Sequence, residues 1–285
     1  MNRWLTSFRE GFKRRKLSSS IAAFAALGFL WTATELLNFA FPSIAAWLQE
    51  NLLFYRILGA IVFVIVWLLR AYEPWSVDVR LPLTQTTVRV EFGNLFDQGT
   101  DIVIAVNEYF DGELGQRVSP TSVHGQFLAK YFTSNAQQFR DRVDPQLSAF
   151  NAISSNRTTV PVAAFALGTT IQLPLGANNA YLFALTHTED FTENAYVDLD
   201  EAVTAIKALM VYIHSNGSGR AVSMPLFGSG QSGLNLPPQH LLRLLMLLIM
   251  KVGRQSALPN SIRICLHQDC FEKIDLREIA RDWRH

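Results

Sequence analysis

Two nearly unbroken apolar stretches, Ile21 to about Phe41 and Leu52 to about Leu69, constrain this chain more than any other feature. Each is about 20 residues long, which as a helix covers the roughly 30 Å of a bilayer's hydrocarbon. A cleaved signal peptide is the competing reading of the first stretch, but its apolar run is too long and a second run follows. Residues 1–20 form a basic leader with Arg3, Arg9, Lys13, Arg14, Arg15 and Lys16. The join from Pro42 to Asn51 carries no Lys or Arg, whereas Arg70 and Arg80 follow the second span. That asymmetry predicts a transmembrane hairpin over 21–72 with both termini in the cytoplasm. Trp31, Trp47, Trp67, Tyr72 and Trp75 include candidate interfacial anchors, Trp47 and Trp75 above all. Glu35 and Arg56 lie inside the spans near their outer ends. Such charges either snorkel or are neutralised, or they form a polar seam within or between subunits; Asn38 shares a helix face with Glu35.

Only 17% of the 285 residues are charged, and the deficit lies in the first 72. The remainder, 76–285, reads as one cytosolic domain, which Glu73-Pro74 separates from the second helix. Val77 to Leu81 and Thr86 to Phe92 alternate as strands. Ile102 to Val106 is continuously apolar, the pattern of a strand buried on both faces. Helical patterns cover Val123 to Phe132 and Gln137 to Phe150, and Asn151 to Thr159 is a polar loop. Val160 to Leu167 and Thr169 to Leu173 are strand-like, as are Tyr181 to Thr186, Arg220 to Met224 and Ser261 to Leu266. Helices are expected over Asp198 to Ser215, Pro237 to Val252 and Phe271 to Trp283. Strands alternating with helices predict an α/β domain, a mixed sheet flanked by helices. The net charge of +1 argues against a nucleic-acid partner. Cys265 and Cys270 have no zinc-type spacing and read as ordinary thiols.

Two glycine-bearing loops carry the chemistry. Val106-Asn107-Glu108-Tyr109-Phe110-Asp111-Gly112-Glu113-Leu114-Gly115 leads on to Ser119 and His124-Gly125; Phe227-Gly228-Ser229-Gly230-Gln231-Ser232-Gly233 lies far downstream. Each follows a strand and precedes a helix, which is how α/β folds bring backbone N–H groups to a phosphate. Each glycine alone reads equally as a plain turn, and His124 as a helix-start or packing residue.

Val106-Asn107 with its glycine loop, Gly93-Asn94-Leu95 before it and Phe227-Gly228-Ser229-Gly230 after it together resemble the macro domain, over about residues 76 to 285. A transmembrane hairpin joined to a macro domain resembles the membrane effectors of Thoeris anti-phage systems. The resemblance implies a bacterial inner-membrane homo-oligomer that contacts lipid. It also implies an ADP-ribose-derived signal, histidine–ADP-ribose being one form, made from NAD by a Toll/interleukin-receptor-type partner. By the same resemblance Asn94, with Leu95, would stand at the adenine and Asn107 at the distal ribose. Asp111, Gly112, Gly115, Ser119, His124 and Gly125 would line the first loop. Phe227, Gly228, Ser229, Gly230, Gln231, Ser232 and Gly233 would cradle the diphosphate. The ligand is a signal and no other cofactor is implied. Macro domains include ADP-ribosyl hydrolases, with Asp111 or Glu113 as candidate bases here. The broken triple glycine favours a receptor over that alternative.

Overall fold

The computed structural model describes residues 3–154, 157, 161, 163–189, 194–230 and 234–283. The chain divides into two units, Met1–Trp75 and Ser76–His285.

The first unit is helical. α1 (Arg3–Ala40) runs through the basic leader into the first apolar span and kinks at Arg15, whose φ of −125° and ψ of 16° leave the helical region. α2 (Pro42–Glu50) is a short helix where the sequence suggested a plain join; Pro42 stands in its first turn, where the missing N–H costs nothing. α3 (Leu52–Ala71) packs antiparallel on α1. Among the described residues two helices, α1 and α3, are long and apolar enough to cross a membrane. Their contact is close at Gly11, where a Cβ would collide with the carbonyl of Ala71. Beside it Ser7 Oγ donates to the carbonyl of Glu73 and accepts its N–H at 2.9 Å, while Arg15 Nε meets Glu73 Oε1 at 2.7 Å. At the other end Tyr55 donates to Thr34 Oγ1 at 2.9 Å. Glu35 and Arg56 are both exposed, and among the described residues no ion pair joins them.

The second unit is built on a mixed sheet. In chain order its strands are β1 (Ser76–Arg80), β2 (Thr87–Phe92), β3 (Asp101–Asn107), β4 (Thr170–Leu175), β5 (Asn178–Thr188), β6 (Ala195–Tyr196), β7 (Val222–Pro225) and β8 (Ser261–Leu266). The spatial order is β1-β2-β8-β7-β3-β5-β4, with β6 pairing the end of β5. β2, β8, β7, β3 and β5 are parallel; β1 and β4 close the sheet as antiparallel edges. The helices are α4 (Val123–Phe132), α5 (Ala136–Leu147), α6 (Leu199–Asn216), α7 (Pro238–Gly253) and α8 (Leu276–Asp282). The chain crosses from β3 to β5 in one direction, then from β5 to β7 and β7 to β8 in the other. Right-handed crossovers therefore put α4 and α5 on one face and α6 and α7 on the opposite face. In agreement, α4 lies against β3 and α5 against β4, whereas α6 lies beside α7.

β3 is apolar on both faces because both are covered. Ile102, Ile104 and Val106 join Leu182, Phe127, Phe132 and Phe139 in one core, and Val103, between them, is also fully buried. Several elements differ from their sequence patterns. Thr169 to Leu173 becomes β4, shifted to Thr170–Leu175, while the run before it contributes only a bridge from Ala164 to Ile153; Val160 and Val162 lie outside the described residues. β5 extends to eleven residues, and the final helix shortens to α8, which starts where the Asp275 side chain caps it by accepting the Arg277 and Glu278 N–H groups.

Candidate functional site

The winding direction reverses at β3, and open α/β sheets bind ligands outside the carboxyl ends of their strands at such a reversal. β3 and β7 are hydrogen-bonded neighbours, in register from Asp101↔Val222. The two glycine loops, 120 residues apart in sequence, thus leave adjacent parallel strands at the same edge of the sheet.

The first loop is tightly held. Asn107 Nδ2 donates to Asp111 Oδ2 at 2.7 Å and to Thr188 Oγ1 at 2.9 Å, and Asn107 Oδ1 accepts the Asp111 N–H at 3.1 Å. Thr188 ends β5, so one amide ties the loop to the neighbouring strand. Phe110 sits inside the turn with φ of 50°, a region costly for a large side chain, and is fully buried against Phe165. Asp111 is fully buried. Its Oδ2 also accepts from Arg157 at 3.0 Å, and its Oδ1 lies 3.6 Å from the Arg117 guanidinium without a hydrogen bond among the described residues. Arg157 in turn lies over the Tyr109 ring, 4.2 Å from its centre. A carboxylate enclosed by two guanidiniums and an amide is well placed to fix a loop. Glu113, the other candidate base, lies 3.5 Å from Arg117 Nε and is half exposed.

His124 opens α4 with its ring buried against Phe139 and its Nε2 without a hydrogen-bond partner among the described residues. Burial lowers its pKa to about 4, only partly offset by the charge of Asp111, so the ring is neutral at pH 7. A second histidine stands at the end of β5. His187 Nδ1 donates to Glu108 Oε2 at 2.7 Å, and its Nε2 faces Glu201 Oε1 at 3.4 Å. Burial works against its charge, but the two carboxylates outweigh it and the pKa rises. Glu201 also belongs to the capping box of α6, so His187 links the first loop to that helix.

The family model described as "Thoeris protein ThsA, Macro domain" matches residues 88–267, from the second residue of β2 to the residue after β8. This chain belongs to that family. It is therefore a Thoeris defence macro-domain protein, with the helices α1, α2 and α3 outside the matched region. Among solved structures it is similar to the Oceanobacillus iheyensis macrodomain with ADP (11% identity, 72% of this chain and 95% of that one, TM-score 0.49). The same macrodomain with MES bound aligns at 10% identity over 73% and 98% (TM-score 0.47). The macrodomain of Mycobacterium tuberculosis DarG aligns at 14% over 62% and 97% (TM-score 0.39). No curated protein matches the chain.

Within this ThsA-type macro domain the sequence-predicted residues divide into two groups. Gly115, with φ of +87°, and Gly230 are open: among the described residues nothing lies within 4 Å of where a Cβ would stand. Ser119 is half-buried and Ser229 exposed, Ser229 donating to the Leu226 carbonyl at 2.8 Å. Asn94 is exposed and its Oδ1 accepts the Phe96 N–H at 3.1 Å, capping a turn of 3-10 helix; the other lone pair of that oxygen remains. The second group serves the fold. Leu95 and Phe227 are core side chains, Phe227 against Phe183 at 5.1 Å. Gly112 faces inward, where a Cβ would stand 2.7 Å from the Phe139 ring. At Gly125 the obstacle to a Cβ is the Ser119 carbonyl, and the Gly125 N–H is taken by the Ser122 cap at 2.9 Å. Gly228, at φ of +79°, packs on Leu234. Gln231, Ser232 and Gly233 lie outside the described residues. Arg117, Arg157, Thr188, Glu108 and His187 were not singled out from sequence. Glu108 and Arg117 carried a local signal, lying in the same loop as Asp111; the others arrive by long-range pairing.

Proposed function

We propose that this chain is the membrane effector of a Thoeris system, its macro domain binding an ADP-ribose-derived signal between the two glycine loops. The observation that carries the reading is the adjacency of those loops at the winding reversal beside β3, with Gly115 and Gly230 open to an approaching diphosphate. A Toll/interleukin-receptor-type partner supplies the signal from NAD. Bound ligand then shifts the contacts between copies of the chain. Only four residues separate α3 from β1 in sequence, so the shift is passed on to α1 and α3, which cross the inner membrane with both termini cytoplasmic and breach it when clustered. The ligand does this only through its unequal affinity for the two states. The enclosure of Asp111 favours a receptor over a membrane-anchored ADP-ribosyl hydrolase. Thermal unfolding of the full chain in detergent, with and without ADP-ribose, tests the binding step. A rising midpoint supports it, an unmoved midpoint at millimolar ligand opposes it, and turnover of an ADP-ribosylated substrate would favour the hydrolase.

A further inference from the structure

The hydrogen bond from Tyr55 to Thr34 at 2.9 Å fixes the register of α1 against α3. Glu35 and Arg56 are the next residues on the two helices. A helix turns about 100° per residue. In an antiparallel pair that single step leads, on both helices, towards the same side of the hairpin. Glu35 and Arg56 therefore stand at one depth on one face. Both are exposed, and among the described residues neither makes an ion pair. The same face carries a groove lined by Leu27, Gly28, Trp31, Leu52, Arg56 and Gly59. Among the described residues nothing lies within 4 Å of a Cβ built on Gly28, and only Leu27 approaches one on Gly59, at 3.6 Å. The floor of the groove is thus bare glycine, as at sites where membrane helices approach closely.

We propose that this face docks the same face of a second copy of the chain, about a two-fold axis along the membrane normal. This rests on the reading that α1 and α3 cross the membrane. Such an axis sets α1 of one copy opposite α3 of the other without changing depth. Glu35 then faces the second copy's arginine, and Arg56 faces its glutamate. Two reciprocal ion pairs replace four lone charges in hydrocarbon, where charged side chains are costly and normally paired. The same patch serves both copies, which is the self-complementarity that a closed two-fold dimer requires.

The test uses two full-length variants with different affinity tags, Glu35→Arg and Arg56→Glu, expressed separately and together, with and without ADP-ribose. Each variant alone places like charges opposite each other in its own dimer. Self-capture from detergent should fall at least about tenfold, equivalent to ~1.4 kcal/mol. Mixed together, both cross-copy pairs become opposite in sign, and capture of one tag by the other should return to the wild-type level. Pairing of Glu35 with Arg56 inside one hairpin predicts no such rescue, because each variant then carries like charges within itself. Failure of the mixture to exceed either variant alone, with both retained in alkali-washed membranes, would overturn this interface and leave the membrane reading standing. Release of wild-type chain by the alkali wash would overturn both.

Discussion

Asn107 and Asp111 exchange hydrogen bonds across the first loop: the Asn107 amide donates to the Asp111 carboxylate at 2.7 Å and accepts the Asp111 N–H at 3.1 Å. The pair turns the chain sharply where it leaves β3 and holds Asp111 beside Arg117 and Arg157. The loop proposed to meet the ligand is therefore set without it, which would reduce the ordering cost of binding.

The Asp111 carboxylate offsets two nearly buried guanidiniums. Asp111→Ala should leave both cations facing one another and cost about 3–5 kcal/mol, the usual result of removing one partner from a buried charge cluster. Asp111→Asn keeps the shape and one acceptor and should cost less. Urea unfolding of the full chain in detergent measures both; equal stability of the alanine variant and wild type would contradict the assigned role.

Gly112 reads in sequence as part of the ligand loop but serves the core. Gly112→Ala would press a methyl to 2.7 Å from the Phe139 ring. Overpacking of this kind typically costs about 1–3 kcal/mol, visible as a lowered unfolding midpoint in the absence of ligand. An unchanged midpoint would show that Phe139 moves aside freely.

The two histidines give opposite pH dependences. His124, with its pKa lowered to about 4 from 6.5, resists a proton that the unfolded chain accepts. It therefore withdraws stability as the pH falls from about 6.5 to about 4. His187 is raised above 6.5 by Glu108 and Glu201. Its contribution is fully present below 6.5 and is lost as the pH rises through its folded value. His124→Leu should flatten the acid limb of a stability–pH curve, and His187→Gln should remove the extra stability on the side below neutrality. Parallel curves for wild type and both variants would contradict these assignments.

Much of this was legible in the sequence because burial leaves a pattern. Ile102 to Val106 is apolar at every position, as a central parallel strand requires, and Ser261 to Leu266 appears as β8 with the same ends. The glycine loops were visible as breaks between strand and helix patterns. Gly112 was not legible as a core residue, because glycine is spelled the same whether a ligand or Phe139 occupies the space beside it. Arg157 pairs with Asp111 across 46 residues, and His187 with Glu108 across 79, with no local periodicity to announce either contact. β6, two residues long, exists only because β5 runs on far enough to pair with it. The positions of Glu35 and Arg56 in the spans left open a polar seam, within or between subunits, or charges that snorkel or are neutralised; the register fixed by Thr34 and Tyr55 turns both side chains outward onto one face.

Gly230 gives the most direct measurement, since among the described residues its surroundings leave room for a side chain while a diphosphate cradle would not. Titration calorimetry of ADP-ribose into the full chain in detergent, wild type against Gly230→Val, separates binding from folding. The account predicts saturable binding by wild type, affinity about 10- to 100-fold weaker in the variant, and matching unfolding midpoints without ligand. Equal affinity in the two proteins, or no saturable binding by wild type, would contradict it.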